Sequence, residues 1–308
     1  MKFKDLFNFK KAAKSATDAV STGVPKIKKD PFGNFILVKR ALISVLGLAT
    51  YSRFNILNKL RVEGLDYLRE LPQTNVMFVS NHQTYYADVM ALYHIFSSVK
   101  WQYKDRLNTP FYFLTPRART YYVAAEETIK DSGWLPKVFA YAGAVTVKRS
   151  WRAKGTDAQR GVDMEAPEKI RKALSSGWVV NFPQGTTKPF APVRKGVANL
   201  IKEYNPIVVP VVIDGFRRAF DKKGLKLKKL GTTLNIRFKQ PIYFDESYTL
   251  DEIHKIVTKL IEQEPERNPN FEEPTEQPAS ERMGQVYTTD DEAKKNAEKL
   301  EDIEVKLE

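Results

Sequence analysis

Apolar runs and helical periodicities alternate along most of this chain. The segment NVMFVS, closing at Ser80, has almost no polar interruption and predicts a buried strand. After Asp88, VMALYHIF predicts a helix. GAVTVKR (Gly143 to Arg149), WVVNFP (Trp178 to Pro183) and PIVVPVVIDGF (Pro206 to Phe216) predict further strands. LNIRFKQPIYF, Leu234 to Phe244, alternates near its start and then meets Pro241. From Asp251 to Glu262, apolar residues Ile253, Ile256, Val257, Leu260 and Ile261 recur at helical spacing. Strands separated by helices predict an α/β fold, with a sheet covered on both faces.

The two ends of the chain read differently. Residues 1 to about 34 are basic and polar, with a weak helical pattern through Leu6, Phe7, Phe9 and Ala13. No continuous apolar stretch followed by a small-residue cleavage site occurs there, which argues against a signal peptide. Phe35 to Tyr51, FILVKRALISVLGLATY, is apolar but interrupted by Lys39 and Arg40. Its clean part, Ala41 to Tyr51, is too short to cross roughly 30 Å of hydrocarbon. With its basic flanks it predicts a helix lying on a membrane surface; a helix packed into the core is the plainer alternative. After Glu264 the chain is rich in proline and glutamate, which predicts disorder, with a marginal helix over Asp290 to Glu308. The expected division is therefore 1–50 membrane-associating, 51–263 globular and 264–308 an acidic tail.

Charge sharpens this division. The net charge is +13. Residues 264–308 hold 14 Asp/Glu against 6 Lys/Arg, a net of −8, which leaves +21 on the preceding residues. A body this basic attracts polyanions, whether nucleic acid, an anionic membrane or phosphorylated substrates. The absence of cysteine excludes disulfides, thiolate metal sites and a cysteine nucleophile, and it favours a reducing compartment. Histidine chemistry has three candidates: His82, His94 and His254.

Three segments hold candidate chemistry. In SNHQTYYAD, Ser80 to Asp88, a predicted strand delivers Asn81 and His82 to its C-terminal edge, where α/β sheets place ligand sites. His82 is a candidate general base and Asp88 a carboxylate that could orient it; a polar helix start with Asp88 facing water is the alternative. In NFPQGTTKPFAPVRKG, Asn181 to Gly196, Gly185 permits a tight turn. Thr186, Thr187, Lys188, Arg194 and Lys195 then supply hydroxyls and cations, an anion-receiving pattern that an ordinary loop also produces. Lys148 and Arg149 end the third segment; an arginine there can grip a phosphate, although exposed surface cations would look the same.

Taken in series, these segments resemble the glycerolipid and lysophospholipid acyltransferases, a family that includes the 1-acylglycerol-3-phosphate acyltransferases. Asn81-His82 with the following Asp88 is similar to the first motif. Gly143 to Arg149 resembles the second, a glycine-led strand ending in arginine. Phe182-Pro183-Gln184-Gly185-Thr186, with Arg194-Lys195-Gly196, resembles the third, and Val208-Val209-Pro210-Val211 the fourth. All four occur in family order. Three departures stand out. Five residues separate His82 from Asp88 where the family has four. Gln184 stands where glutamate is usual, and Thr187 where arginine is usual. One extra residue on an ideal helix rotates a side chain by about 100°, so the expectation is a loop that bulges to restore the contact.

The resemblance implies a single α/β acyltransferase domain with a mixed sheet flanked by helices, preceded by the membrane-contacting segment. It implies an O-acyltransferase of membrane lipid synthesis, acting at the cytoplasmic face as a peripheral or monotopic protein. His82 would deprotonate a lysolipid hydroxyl for attack on the thioester of acyl-CoA or acyl carrier protein, and Asp88 would hold His82. Backbone donors near Gly185 would stabilise the oxyanion. Asn81, Arg149, Gln184, Gly185, Thr186, Lys188 and Arg194 would receive substrate. Neither a metal nor a cofactor beyond the acyl carrier is implied. The stretch Phe111 to Tyr122 would line the acyl groove, or form ordinary core. The expected partners are an anionic lipid surface and the acyl carrier, with no nucleic acid. Two alternatives are acylation of lyso-ornithine or lyso-glycine aminolipids and a non-catalytic, basic membrane- or nucleic-acid-binding module.

Overall fold

A computed structural model describes residues 28–102, 107, 109–130, 134–148 and 165–269. The pattern over residues 6–13, Arg149 and the acidic tail from residue 270 onward lie outside the described residues. One compact unit closes at Asn268.

Seven strands form one sheet in the order β1-β7-β6-β2-β5-β3-β4. They are β1 (Lys59–Glu63), β2 (Val76–Ser80), β3 (Thr120–Ala125), β4 (Ala144–Val147), β5 (Trp178–Asn181), β6 (Ile207–Asp214) and β7 (Thr233–Phe238). β6, β2, β5, β3 and β4 run parallel, while β7 is antiparallel to β6 and parallel to β1. The sheet is thus mixed. All five residues of β2 and all four of β5 are buried, which explains their unbroken apolar sequences: helices cover both faces. Near the sheet edge, β7 alternates buried and half-buried residues.

Nine helices accompany the strands among the described residues: α1 (Ile36–Asn55), α2 (Leu65–Arg69), α3 (Ala87–Lys100), α4 (Glu126–Lys130), α5 (Trp134–Gly143), α6 (Ala166–Ser176), α7 (Gly196–Tyr204), α8 (Phe216–Ala219) and α9 (Leu250–Leu260). On one face of the sheet, Phe78, Phe96, Trp178 and Phe238 interlock as the centre of the larger core, with ring centroids 4.6 to 6.3 Å apart. The second core, on the other face, joins α6, α7 and α9 through Ile170, Ile201, Ile253 and Val257. A capping box fixes the start of α9: Thr249 Oγ1 accepts from the Glu252 N–H while the Glu252 carboxylate accepts from the Thr249 N–H.

α1 runs unbroken across residue 50, where the sequence suggests a boundary. It buries one charged residue and leaves several apolar ones outside. Lys39 is buried with Ile43, Gly47 and Phe54, whereas Leu37, Ala41, Val45 and Leu48 face outward. Gly47 is small enough for Phe113 to press against it, and Ser44 Oγ donates to the Phe113 carbonyl at 2.5 Å. Inside, the Lys39 ammonium lies 3.9 Å from the Tyr121 ring centroid and 3.7 Å from the Asp30 carboxylate. Burial brings this lysine down to about 8, against the pull of Asp30. No described helix is long and apolar enough to cross a membrane.

Of the two readings left open for the stretch Phe111 to Tyr122, most of it follows the ordinary-core one. Pro110–Leu114 forms a 3-10 turn packed on α1, with Tyr112 and Phe113 in the core. Of the whole stretch, Tyr122 alone lines the cleft described below.

Candidate functional site

His82 lies just beyond the C-terminal end of β2, the middle strand of the seven. Asn81 fixes how the chain leaves that strand. Its side-chain amide donates to the Ile213 carbonyl at 2.8 Å, and its side-chain oxygen accepts from the Ile213 N–H at 2.7 Å. Asn81 therefore staples β2 to β6 from a buried position, with both polar ends engaged by backbone.

Residues 83–86 form the loop between His82 and α3. Despite the extra residue, His82 Nδ1 and Asp88 Oδ2 are 2.9 Å apart. The same oxygen accepts from the backbone N–H groups of Gln83 and Thr84 at 2.6 and 3.1 Å, and Oδ1 accepts from the Thr84 hydroxyl at 2.7 Å. The carboxylate is fully buried and held by four donors, so its orientation is fixed. A distant segment pins the loop: Tyr85 N–H donates to the Lys222 carbonyl and Tyr86 N–H to that of Lys223. Gly224 closes this contact with φ of +78°; a Cβ there would stand 2.6 Å from the Ala87 nitrogen. The bulge expected from the spacing thus exists, and residues some 135 positions downstream shape it.

Phe182 stacks on the imidazole with ring centroids 4.0 Å apart and 20° between planes. This limits ring tilt, while Asp88 selects which nitrogen faces it. With Nδ1 engaged, Nε2 makes no hydrogen bond among the described residues, and the His82 side chain remains 14% exposed. His82 opens on a cleft of about 420 Å³. That volume suits a small-molecule site. The cleft's apolar wall includes Val89, Tyr122, Val123, Ile170 and Leu200, and Lys148 and Arg194 stand among its polar lining.

The loop after β5 supplies the opposite side. Gly185 takes a left-handed turn, φ +62°, and its N–H donates to the Phe182 carbonyl at 2.9 Å. That donor is spent on the turn itself, while Gly185 still lines the cleft. Thr186 and Thr187 follow with N–H groups that make no hydrogen bond among the described residues, and Thr186 lines the cleft. Gln184 turns inward instead: its amide donates to the Ala191 carbonyl at 2.8 Å and to Gln263 Oε1 at 2.9 Å. Arg194 lines the cleft while its Nε donates to the Gln184 carbonyl at 3.4 Å. Lys188 is exposed and away from the cleft lining. Of the expected residues, the cleft therefore gathers His82, Gly185, Thr186 and Arg194, with Asp88 behind His82. Asn81 and Gln184 brace the backbone.

Sequence reading missed Thr84, Phe182 as a stacking partner, Gly224 and Arg217. Arg217 donates to the Thr187 carbonyl, and its own N–H donates to Gln83 Oε1 at 3.1 Å. Burial draws its guanidinium below the ordinary value, against the pull of Asp88 and Asp214. Thr84 had a local signal, a hydroxyl at a helix entrance. Gly224 and Arg217 had none, because their partners lie far away in sequence. No group of three or more His, Asp or Glu among the described residues could hold a metal ion.

The sequence model of the family described as Acyltransferase matches residues 59–214, just over half of the 308. A search of curated proteins found no match. Among solved structures, the chain is similar to the 1-acyl-sn-glycerophosphate (LPA) acyltransferase PlsC from Thermotoga maritima, at 19% identity and a TM-score of 0.46. That similarity covers 76% of this chain and 81% of the other.

Proposed function

We propose, for a chain that belongs to the acyltransferase family and so transfers acyl groups, that the acceptor is a lysolipid hydroxyl. The donor in this reading is a fatty acyl thioester carried by coenzyme A or acyl carrier protein. The observation that carries it is the His82–Asp88 pair at the mouth of an apolar-walled cleft.

With Nδ1 turned to Asp88, Nε2 is free to accept the proton of the acceptor hydroxyl as its oxygen attacks the thioester carbon. Asp88 steadies the imidazolium that forms. Negative charge develops on the carbonyl oxygen, where the N–H of Thr186, on the cleft lining, is a donor available for it. Collapse breaks the carbon–sulfur bond, and the departing thiolate takes the proton from His82. The products are an ester and a free thiol, so the histidine ends as it began. Val123, Ile170 and Leu200 offer the acyl chain an apolar wall, and Lys148 and Arg194 supply positive charge for a phosphorylated headgroup.

Membrane association belongs to this reading. The outward face of α1 and the neighbouring 3-10 turn expose Leu37 at 71%, Val45 at 64%, Phe111 at 59% and Leu114 at 68%. A helix that buries a lysine and exposes leucines fits an apolar surrounding better than water.

The test is turnover by the purified chain on a panel of lysophospholipids and lyso-aminolipids, with acyl-CoA and with acyl-loaded carrier protein. Ester product from at least one lysolipid is expected, with none from His82→Ala. Transfer by a folded His82→Ala variant overturns the mechanism; acylation of aminolipids alone moves the acceptor to that class.

A further inference from the structure

A second concave site lies at the opposite ends of the strands from His82. Gln73 precedes β2, Arg117 and Arg119 precede β3, and Lys28, Arg40, Leu37 and Lys100 complete a pocket of about 500 Å³. Five of its lining residues are cations and none is acidic. None of the five forms an ion pair among the described residues.

Arg117 is the built part of the site. It is 6% exposed, lies 3.6 Å from the Trp178 ring centroid, and donates through Nη1 and Nη2 to Gln73 at 3.0 and 3.2 Å. Its Nε is buried with no hydrogen-bond partner. Lys100 donates to the Thr115 carbonyl at 2.6 Å. Burial draws Arg117 down to about 10, with Arg119 adding to the effect. Burial and then the charges of Arg40 and Arg117 lower Lys100. Five positive charges crowded into one concave site without a counter-charge describe an anion site whose anion comes from outside the fold.

The rim indicates which anion. Leu37, 71% exposed, belongs both to this pocket and to the apolar outer face of α1. A water-facing site for a free ion has no need of such a rim. We propose that the pocket receives the phosphate of an anionic lipid headgroup while the neighbouring α1 face enters the acyl region. It is a docking site separate from the catalytic cleft, and the inference rests on the membrane reading above. Strands of five or six residues span about 17 Å or more, so the two sites are not one. α1 connects them: it begins beside the pocket, and Arg53 near its other end donates to the Leu225 carbonyl, next to the Gly224 segment that pins the catalytic loop. Lipid seated in the pocket would lay α1 along the bilayer.

The experiment compares binding of the full chain to phosphatidylcholine vesicles with binding to vesicles of phosphatidylcholine and phosphatidylglycerol at about four to one. Arg40→Gln/Arg119→Gln is set against Lys255→Gln/Lys259→Gln, an equal charge change on α9. The pocket variant should lose about tenfold or more of the preference for anionic vesicles, and the α9 variant about twofold or less. Both should keep binding to neutral vesicles and turnover of a micellar acceptor. Equal loss in the two variants would reduce the effect to diffuse charge and overturn the site. Tight binding of inorganic phosphate by the wild type but not by the pocket variant, with vesicle preference unchanged, would assign the site to a free anion and overturn the lipid. If the wild type binds neither vesicle, the membrane reading itself fails, and that result is distinct from the others.

Discussion

Asp88 is fully buried behind His82, and its four donors are all local or delivered by the bulged loop. Asp88→Asn replaces an acceptor by an amide that must present an N–H to one of those donors or to His82. The imidazole then loses its fixed tautomer, and kcat should fall by about 10²- to 10⁴-fold with the fold intact. Steady-state kinetics alongside circular dichroism would decide, and a loss under about fivefold contradicts the orienting role. Gly224→Ala removes no chemical group, yet its Cβ would meet Ala87 and Thr84 within 3 Å at a left-handed φ. The loop must shift, so kcat should drop by about 10- to 100-fold with little change in KM. Unchanged kcat would mean that this loop is not what sets His82. Sequence identified His82 and Asp88 but left their contact open, because the extra residue is absorbed by hydrogen bonds that Tyr85 and Tyr86 donate to the Lys222 and Lys223 carbonyls. Such long-range pinning leaves no local pattern.

Between elements, His94 ties α3 to α1 and the 3-10 turn. Nε2 lies 3.0 Å from Thr50 Oγ1, and Nδ1 lies 2.9 Å from the Tyr112 hydroxyl. Since the Thr50 hydroxyl donates to the Leu46 carbonyl at 2.8 Å, it accepts from Nε2–H, and Tyr112 donates to Nδ1. Complete burial pushes this histidine down to about 3, so it is neutral in the fold. A depressed folded value means the unfolded chain takes up the proton first. The contribution is full above about pH 6.5 and is lost as pH falls toward 3. At pH 5 the loss from this one group is about 2 kcal/mol. His94→Gln should therefore shrink the difference in urea-unfolding free energy between pH 7 and pH 5 by about that amount. An unaltered difference would show that His94 titrates in the fold as it does when unfolded. The elements differ in how plainly sequence announces them. β2, β5 and β6 were legible because strands buried on both faces need unbroken apolar residues. β1, reading Lys59-Leu60-Arg61-Val62-Glu63, was not: it is an edge strand half exposed, and its charges look like loop. β3 was hidden in an aromatic run whose first half is a 3-10 turn.

For the molecule as a whole, the outer face of α1 is an apolar surface that the described residues leave uncovered. Leu37, Ala41, Val45 and Leu48 fall three or four residues apart on one side, and Phe111 and Leu114 extend the apolar surface from the turn packed beside it. Sequence marked this helix as apolar but could not say which side faces inward, since Lys39 would ordinarily point to solvent. Its burial against Asp30 and Tyr121 turns the leucines out. If the face enters a bilayer, each large apolar side chain removed from water contributes about 1.5–3 kcal/mol. Val45→Ser/Leu48→Ser should then cost about 3 kcal/mol of vesicle affinity, roughly 100-fold, on neutral and anionic vesicles alike. The folded state should lose far less, because Val45 and Leu48 are 64% and 49% exposed in it. Turnover of a long-chain acceptor presented in vesicles should fall with affinity, while turnover of a short-chain, water-soluble acceptor should not. Sedimentation with vesicles and the two activity assays separate the cases. Equal loss on both acceptors would mean that α1 serves the cleft directly, and unchanged vesicle binding would mean that another surface meets the membrane.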